Sequence, residues 1–205
     1  MTGREDHWNT VYTTKAADAV SWFQPHATRS LALIAAESPA ADHSVIDVGG
    51  GASTLVDDLL ARGHHDVTVL DISGAALDTA RARLGDKAGG VCWLVADITA
   101  WSPARSWDIW HDRAVFHFLT EPAQQDAYLR ALALGTHAGS TVIMATFAPD
   151  GPDKCSGLPV QRYDAESLSR RFGPAFKLVA QAHETHRTPW GSDQSFSYAV
   201  LKRTG

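Results

Sequence analysis

Acidic residues and glycines lie at the ends of apolar runs in this sequence. Residues of these types at such positions indicate a ligand-binding site. Asp47 lies in the run VIDV and is followed closely by Gly49, Gly50 and Gly51. Glycine lets the backbone turn sharply and lets a large group approach the main chain. A carboxylate beside such a turn accepts hydrogen bonds from hydroxyl groups or binds a cation. Asp71 ends the next run, VTVLD, so an acidic strand end recurs.

Alternating strands and helices must position these groups. Strand-like runs lie at 44–48, 67–70, 91–95, 107–111 and 141–147, with two later ones near 176–182 and 195–202. Helical patterns separate them, which predicts an α/β fold: a doubly wound, mostly parallel seven-stranded sheet with helices on both faces. Ligands bind such sheets beyond the carboxyl ends of the strands, and four aspartates fall there: Asp47, Asp71, Asp97 and Asp112.

The composition narrows the class of protein. The chain has 205 residues, a formal net charge of −5 and 44% hydrophobic residues, which is ordinary for a soluble globular protein. Its negative charge argues against a nucleic-acid partner, and neither a membrane span nor a signal peptide is visible. Cys92 and Cys155 form no disulfide framework and no metal spacing. We expect a cytoplasmic protein without a metal site, with Cys92 buried.

The glycine turn suits two nucleotide ligands, a dinucleotide or S-adenosylmethionine. A nicotinamide-binding loop reads G-x-G-x-x-G, and here Gly49 and Gly51 fill the first two places while Thr54 fills the third. Asp71 would bind ribose hydroxyls in either case. Asp47 discriminates, because a carboxylate repels a pyrophosphate but attracts the ammonium and sulfonium of S-adenosylmethionine. The methyl donor is therefore favoured over NAD.

These segments resemble the motifs of class I S-adenosylmethionine-dependent methyltransferases. VIDVGGGAS is similar to the family's first motif, [D/E]-x-G-x-G-x-G, with Ser53 in place of the last glycine. The resemblance implies that Asp71 binds the ribose diol and that Asp97 and Ile98 contact the adenine ring. The further residues assigned to the donor site are Asp47, Gly49, Gly50, Gly51, Ile72 and Asp112.

The resemblance covers residues 44–147 and implies an organisation for the chain. We expect a single domain over 1–205, with an N-terminal helical cap over 1–40, a donor-binding core over 44–147, and a substrate loop with C-terminal strands over 148–205. The last two strands suit the antiparallel sheet edge of the family. S-adenosylmethionine is the expected cofactor and S-adenosylhomocysteine its product.

Two segments resemble a narrower group of small methyltransferases, related to thiopurine, tellurite-resistance and elongation-factor lysine enzymes. HWNTVY and SWFQ are similar to their N-terminal cap, and HDRAVFHFL is similar to the D-[KR]-[GA]-x-[FY] segment after their fourth strand. The second match implies that Asp112, Arg113, Ala114 and Phe116 lie beside the methionine end of the donor.

Methyl transfer from a sulfonium requires alignment, exclusion of water and sometimes removal of a proton. The catalytic candidates are His111, Asp112 and His117, which follow the fourth strand. The two histidines suit core positions equally well. Asp112 is expected to orient the donor or the acceptor rather than to act as a base.

Aromatic residues near the N-terminus are expected to cover the site or the edge of the core. Trp8 and Tyr12 share one face of a short predicted helix, and Trp22 and Phe23 follow in a loop. As a lid, Trp22 would pack on the sulfonium by a cation–π contact while Trp8, Tyr12 and Phe23 contact the acceptor.

The long segment 148–163 is predicted to be a substrate loop or a solvated one. Phe116, Arg162 and Tyr163 complete the predicted substrate contacts. The favoured function is methylation of a small molecule at nitrogen, sulfur, oxygen or a metalloid. The alternatives are a protein lysine methyltransferase, which should show an open acidic groove, a non-catalytic donor-binding module, and an NAD-dependent enzyme.

Overall fold

A twisted sheet of seven strands forms the centre of the molecule. The computed structural model describes residues 3–205. The strands are β1 Val45–Val48, β2 Val67–Asp71, β3 Val91–Val95, β4 Trp107–Arg113, β5 Thr136–Phe147, β6 Lys154–Cys155, β7 Leu158–Pro159, β8 Phe176–Arg187 and β9 Asp193–Arg203. The strand order is β3-β2-β1-β4-β5-β9-β8, and a separate two-stranded hairpin pairs β6 with β7.

Within residues 3–205, six α-helices surround the sheet, and local sequence signals explain where several of them begin. They are α1 Gly3–Thr14, α2 Thr28–Glu37, α3 Leu55–Ala61, α4 Gly74–Leu84, α5 Pro122–Leu134 and α6 Ala165–Phe172. Ser73 caps α4 by accepting a hydrogen bond from Ala76 N at 3.2 Å, and Asp164 caps α6 through Ser167 N at 2.6 Å. Such caps satisfy amides that the first turn leaves unpaired.

The sheet is parallel from β3 to β5 and antiparallel at β9 and β8. Hydrophobic clusters cover both faces: Ile46 and Trp110 pack towards α5 and α6, whereas Val45 and Ile109 pack towards α2 and α3. The predicted fold class is confirmed. Chain order reverses between β1 and β4, so this is the point where a ligand site is expected.

Two local expectations need correction or refinement. Cys92 is exposed rather than buried, because β3 is the edge strand of the sheet and has a neighbour on one side only. The segment 148–163 contains the short β6–β7 hairpin, which the sequence did not indicate. Within residues 3–205, no helix has the length and apolar content that crossing a membrane requires.

Candidate active site

The glycine turn after β1 is packed against the protein's own side chains. Gly49 and Gly51 have positive φ angles of 71° and 46°, a region that glycine adopts without steric cost. A Cβ on Gly49 would stand 1.9 Å from Val115 Cγ2, and one on Gly50 would stand 2.5 Å from Asp47 Oδ2. Because glycine has no side chain, Val115 and Asp47 can pack directly against this turn and form the wall of the site.

Asp47 is buried in β1 and is held by a histidine from β4. His111 Nδ1 lies 2.7 Å from Asp47 Oδ1, and His111 Nε2 lies 2.8 Å from Ser30 Oγ in α2. The carboxylate can only accept, so Nδ1 donates to it. Both ring nitrogens lie within hydrogen-bond distance of protein groups, and the ring lines the second cavity. These contacts fit a residue that positions Asp47, and removal of a proton by His111 stays a prediction.

Asp71, at the end of β2, is a carboxyl group on the cavity wall whose pKa is strongly raised. Its Oδ1 accepts a hydrogen bond from Ser73 N at 2.8 Å, and a Cβ on Gly51 would stand 2.9 Å from its Oδ2. Burial, with the charge of Asp47 adding to it, raises the pKa of Asp71 to about 7.

The loop after β3 forms the far end of the site. Asp97 Oδ1 accepts hydrogen bonds from Thr99 N at 2.9 Å and from Thr99 Oγ1 at 2.7 Å, which fixes the loop. Arg4 Nη2, from α1, lies 3.5 Å from Asp97 Oδ2. Ile72, Asp97 and Ile98 all line the cavity that begins at Asp71.

Two adjoining cavities lie above the carboxyl ends of β1, β2 and β4. The first encloses about 870 Å³ of space partly open to solvent and runs from Asp71 and Asp97 to Phe147 and Phe196. The second contains Asp47, Gly50 and Phe23. Among the described residues, four line both cavities, which are therefore direct neighbours: Tyr12, Trp22, Gly49 and Arg113.

Helix α1 lies over this space as an aromatic cover. The rings of Trp8 and Trp22 are 5.7 Å apart, and those of Tyr12 and Trp22 are 6.2 Å apart. Ser73 Oγ donates a hydrogen bond to Asn9 Oδ1 at 2.7 Å, which ties α1 to the start of α4. The four predicted lid residues, Trp8, Tyr12, Trp22 and Phe23, all line one or both cavities.

Asp112 does not reach either cavity. It is fully buried, and its carboxylate accepts hydrogen bonds from Val115 N at 2.9 Å, from Phe116 N at 3.2 Å and from Tyr128 Oη at 2.7 Å. Successive strand residues point to opposite faces, so His111 faces Asp47 while Asp112 faces α5. Asp112 is absent from the described lining of both cavities for that reason, and its contact with donor or acceptor stays a prediction. Burial raises its pKa to about 6.

His117 is also a core residue rather than a base in the cavity. Its Nδ1 accepts a long hydrogen bond from Phe147 N at 3.4 Å, and its ring packs edge-on against Phe118. Burial, together with the charge of Arg113, lowers the pKa of His117 to about 3. The ring is therefore neutral at every physiological pH, and it lines neither cavity.

Three predicted substrate contacts lie away from the cavities. Phe116 packs in the core against Tyr128 and Tyr163, because the turn after β4 directs it towards α5. Tyr163 Oη accepts a hydrogen bond from Gln125 Nε2 at 3.0 Å. Arg162 is exposed and donates to Gly151 O at 3.0 Å, which fixes its own loop. None of the three belongs to the described lining of either cavity, and their contact with the substrate stays a prediction.

Arg113 is a candidate functional residue for which the sequence analysis gave a position but no role. Its side chain is only 10% exposed, and Nε lies 4.0 Å from Glu184 Oε2. Its Cζ lies 4.3 Å from the centre of the Phe196 ring, and Nη1 donates to Trp22 O at 3.3 Å. Among residues 3–205, Nε and Nη2 find no hydrogen-bond partner. A buried cation with free donors on a cavity wall indicates an anionic ligand group. The sequence contained a clue to this role, since Arg113 is the one arginine or lysine in the segment HDRAVFHFL.

Solved structures share this fold over nearly the whole chain. A SAM-dependent methyltransferase from Anabaena variabilis has a TM-score of 0.76 at 14% identity, over 99% of this chain and 96% of that one. The N-methyltransferase NodS from Bradyrhizobium japonicum, in complex with S-adenosylhomocysteine, has a TM-score of 0.74 at 15% identity, over 98% and 100%. The 1,6-didemethyltoxoflavin-N1-methyltransferase from Burkholderia thailandensis, with bound 1,6-didemethyltoxoflavin and S-adenosylhomocysteine, has 0.69 at 16%, over 98% and 84%.

The fold and the strand-end site define the Rossmann-like class of α/β proteins. Residues 45–139 match the family model described as a methyltransferase domain. No curated protein matches the sequence. At these identities the solved structures establish the fold. The methyltransferase-domain match covers just under half of the chain and, together with this fold, supports an S-adenosylmethionine-dependent methyltransferase with S-adenosylmethionine as its cofactor.

Proposed function

We propose that this enzyme transfers the methyl group of S-adenosylmethionine to a small molecule bound under α1. The donor would span both cavities. Asp71 would accept hydrogen bonds from the ribose hydroxyls, and Asp97 and Ile98 would hold the adenine, since all three line the same end of the first cavity. The sulfonium would then lie near Gly49, where the two cavities meet.

Charge complementarity supports the placement of the methionine end. The second cavity is lined by one carboxylate, Asp47, and by one guanidinium, Arg113, among the described residues. The methionine end carries one ammonium and one carboxylate, so both charges find an opposite partner. Arg113 has two donors free for this purpose, and a side-on carboxylate can accept from Nε and Nη2 together.

The residues that line the acceptor end of the first cavity are the main observation in support of a small-molecule acceptor. Beyond Arg113, the first cavity is walled by aromatic rings, including Trp22, Phe147 and Phe196. The only carboxylates on its described lining are Asp71 and Asp97, at the opposite end. A lysine methyltransferase would be expected to have an acidic groove open to a protein chain. A covered aromatic pocket instead suits a compact acceptor and excludes water.

The buried polar residues after β4 would contribute by positioning. Asp112 ties the amides of Val115 and Phe116 to Tyr128 of α5, and Val115 itself lines the first cavity. His111 holds Asp47 in place from the neighbouring strand. Neither residue needs to exchange a proton, because the sulfonium already activates the methyl carbon.

The experiment that tests this proposal follows the methyl group. The purified enzyme is incubated with methyl-labelled S-adenosylmethionine and an extract of the cells that produce it, and the extract is then separated by ultrafiltration. Label is expected in low-molecular-mass products that chromatography separates from the unreacted donor, and the variant Arg113→Gln should reduce it strongly, while Arg187→Gln, on an exposed part of β8, should not. Label confined to protein would contradict the small-molecule assignment.

A further inference from the structure

Gln194 presents an unused polar group at the acceptor end of the first cavity. It lies on β9, is only 9% exposed, and lines the cavity together with Phe196. Among residues 3–205, its Oε1 has no hydrogen-bond partner. A buried carbonyl oxygen without a partner costs free energy, and its place on the cavity wall indicates that a ligand supplies the missing donor.

This end of the cavity lies far from the donor's ribose. Strand β9 stands four strands from β2 in the sheet order, which corresponds to roughly 19 Å at about 4.8 Å per strand. Gln194 therefore serves the acceptor rather than the ribose or the adenine. Phe147 and Phe196, whose ring centres are 4.9 Å apart, form the adjacent wall.

The described lining of the acceptor end also offers neither a carboxylate for a cation nor a base. Its one cation, Arg113, stacks on Phe196 and lies near Glu184, and its free nitrogens are assigned to the donor carboxylate. Burial raises the pKa of the Cys155 thiol to about 11, and burial, with the Asp71 charge adding to it, raises the pKa of the Tyr12 phenol, so both remain protonated. In the described lining of the first cavity there is no histidine. An ammonium substrate would find neither a counterion nor a group to remove its proton.

We propose that the acceptor is an uncharged, planar nitrogen heterocycle whose ring N–H donates to Gln194 Oε1 and whose second ring nitrogen, with its own lone pair, receives the methyl group. This inference rests on the proposed function and narrows it to one class of substrate. Flat aromatic walls bind such a ring by stacking, and Gln194 fixes which of its nitrogens faces the donor.

The transfer step balances without a base in the cavity. The lone pair of the second nitrogen forms the N–CH₃ bond while the S–CH₃ bond breaks, and the sulfur keeps that electron pair as the thioether of S-adenosylhomocysteine. The positive charge moves from the sulfur to the ring. The ring N–H held by Gln194 then loses its proton to water after the product leaves, which gives a neutral N-methyl heterocycle.

The test uses benzimidazole, 1-methylbenzimidazole and benzylamine as probes of the enzyme saturated with S-adenosylhomocysteine. Benzimidazole has both ring features, the methylated probe lacks the N–H, and benzylamine is a cation without a ring nitrogen. Calorimetry should show benzimidazole binding about tenfold more tightly than 1-methylbenzimidazole, the ratio for one satisfied hydrogen bond to a buried group. Benzylamine should bind more weakly than either.

Two variants separate recognition from general damage to the pocket. In Gln194→Leu the ratio between the two benzimidazoles should fall below about twofold, whereas Gln181→Leu, an exposed position on β8, should keep it. Failure of benzimidazole to bind the loaded wild-type enzyme, or tighter binding of benzylamine, would overturn the inference. Failure of S-adenosylhomocysteine itself to bind would instead overturn the proposed function.

Discussion

Replacing Asp71 by asparagine tests the proposed ribose site through the pH dependence of donor binding. The side-chain amide of Asp71→Asn keeps an oxygen that can accept from Ser73 N, so the turn into α4 is expected to survive. The variant loses the negative charge that would strengthen hydrogen bonds from the two ribose hydroxyls. At pH 8 we expect the affinity for S-adenosylhomocysteine to fall by about 10- to 150-fold, the range for hydrogen bonds to a charged group.

The elevated pKa of Asp71, about 7, sets how this effect changes with pH. If the ribose binds the ionised carboxylate, the wild-type advantage scales with the ionised fraction, which is roughly 0.9 at pH 8 and roughly 0.1 at pH 6. The ratio of the two dissociation constants should therefore shrink by about tenfold between these pH values. Titration of the ligand's own amine cancels in the ratio.

The same substitution should raise the stability of the folded protein at high pH, where it lowers the affinity for the ligand. The native state holds the Asp71 proton up to about pH 7, whereas an unfolded chain releases it near pH 3.9. The wild type therefore loses stability as pH rises from about 4 to about 7, and Asp71→Asn escapes that loss. Its melting temperature should exceed that of the wild type at pH 8, by a smaller margin at pH 5.

Calorimetry at pH 6, 7 and 8 measures the affinities, and differential scanning fluorimetry measures the melting temperatures. Asp78→Asn is the matched control, because Asp78 lies on the exposed side of α4 and pairs with Arg81. It should leave the affinity for S-adenosylhomocysteine unchanged. A ratio for Asp71→Asn that stays constant from pH 6 to pH 8 would refute the coupling between this carboxyl and the ribose.

Two further substitutions probe the walls of the site. Gly49→Ala places a Cβ 1.9 Å from Val115 Cγ2 and should lower the free energy of unfolding by about 1–3 kcal/mol. Adding Val115→Ala should restore part of that free energy. A lack of any rescue in urea unfolding would show that the clash is not the cause. Tyr128→Phe removes a donor from the buried Asp112 carboxylate and should lower the free energy of unfolding by about 1–3 kcal/mol. This loss should be larger at pH 8 than at pH 5, because burial raises the pKa of Asp112 to about 6 and the hydrogen bond stabilises the ionised form. Equal losses at both pH values would argue against an ionised Asp112.

The fold could be predicted from the sequence, and so could the grouping of the residues proposed to bind the donor, because both depend on local patterns. Apolar runs ending in Asp47 and Asp71 mark parallel strands, and parallel strands bring their carboxyl ends to one edge of the sheet. The glycines after β1 marked the same place. Their close contacts with Val115 and with Asp47 could not be foreseen, since Val115 lies far along the chain.

The acceptor end could not be predicted, because it depends on which way side chains point after β4. Asp47 pairs with His111 in the strand register, so Asp112 falls on the opposite face. Ala114 then adopts a positive φ of 74°, which is uncommon for a residue with a Cβ, and the amides that follow turn back to the Asp112 carboxylate. Gln194 reaches the cavity through an antiparallel strand whose register the sequence does not reveal.

The most direct test of the account is a crystal structure of the enzyme with S-adenosylhomocysteine. The account predicts hydrogen bonds from the ribose hydroxyls to the Asp71 carboxylate, with the methionine ammonium near Asp47 and its carboxylate on Arg113. The sulfur should face the pocket that contains Phe147 and Gln194. A ligand whose ribose lies away from Asp71, or whose sulfur points away from that pocket, would contradict it.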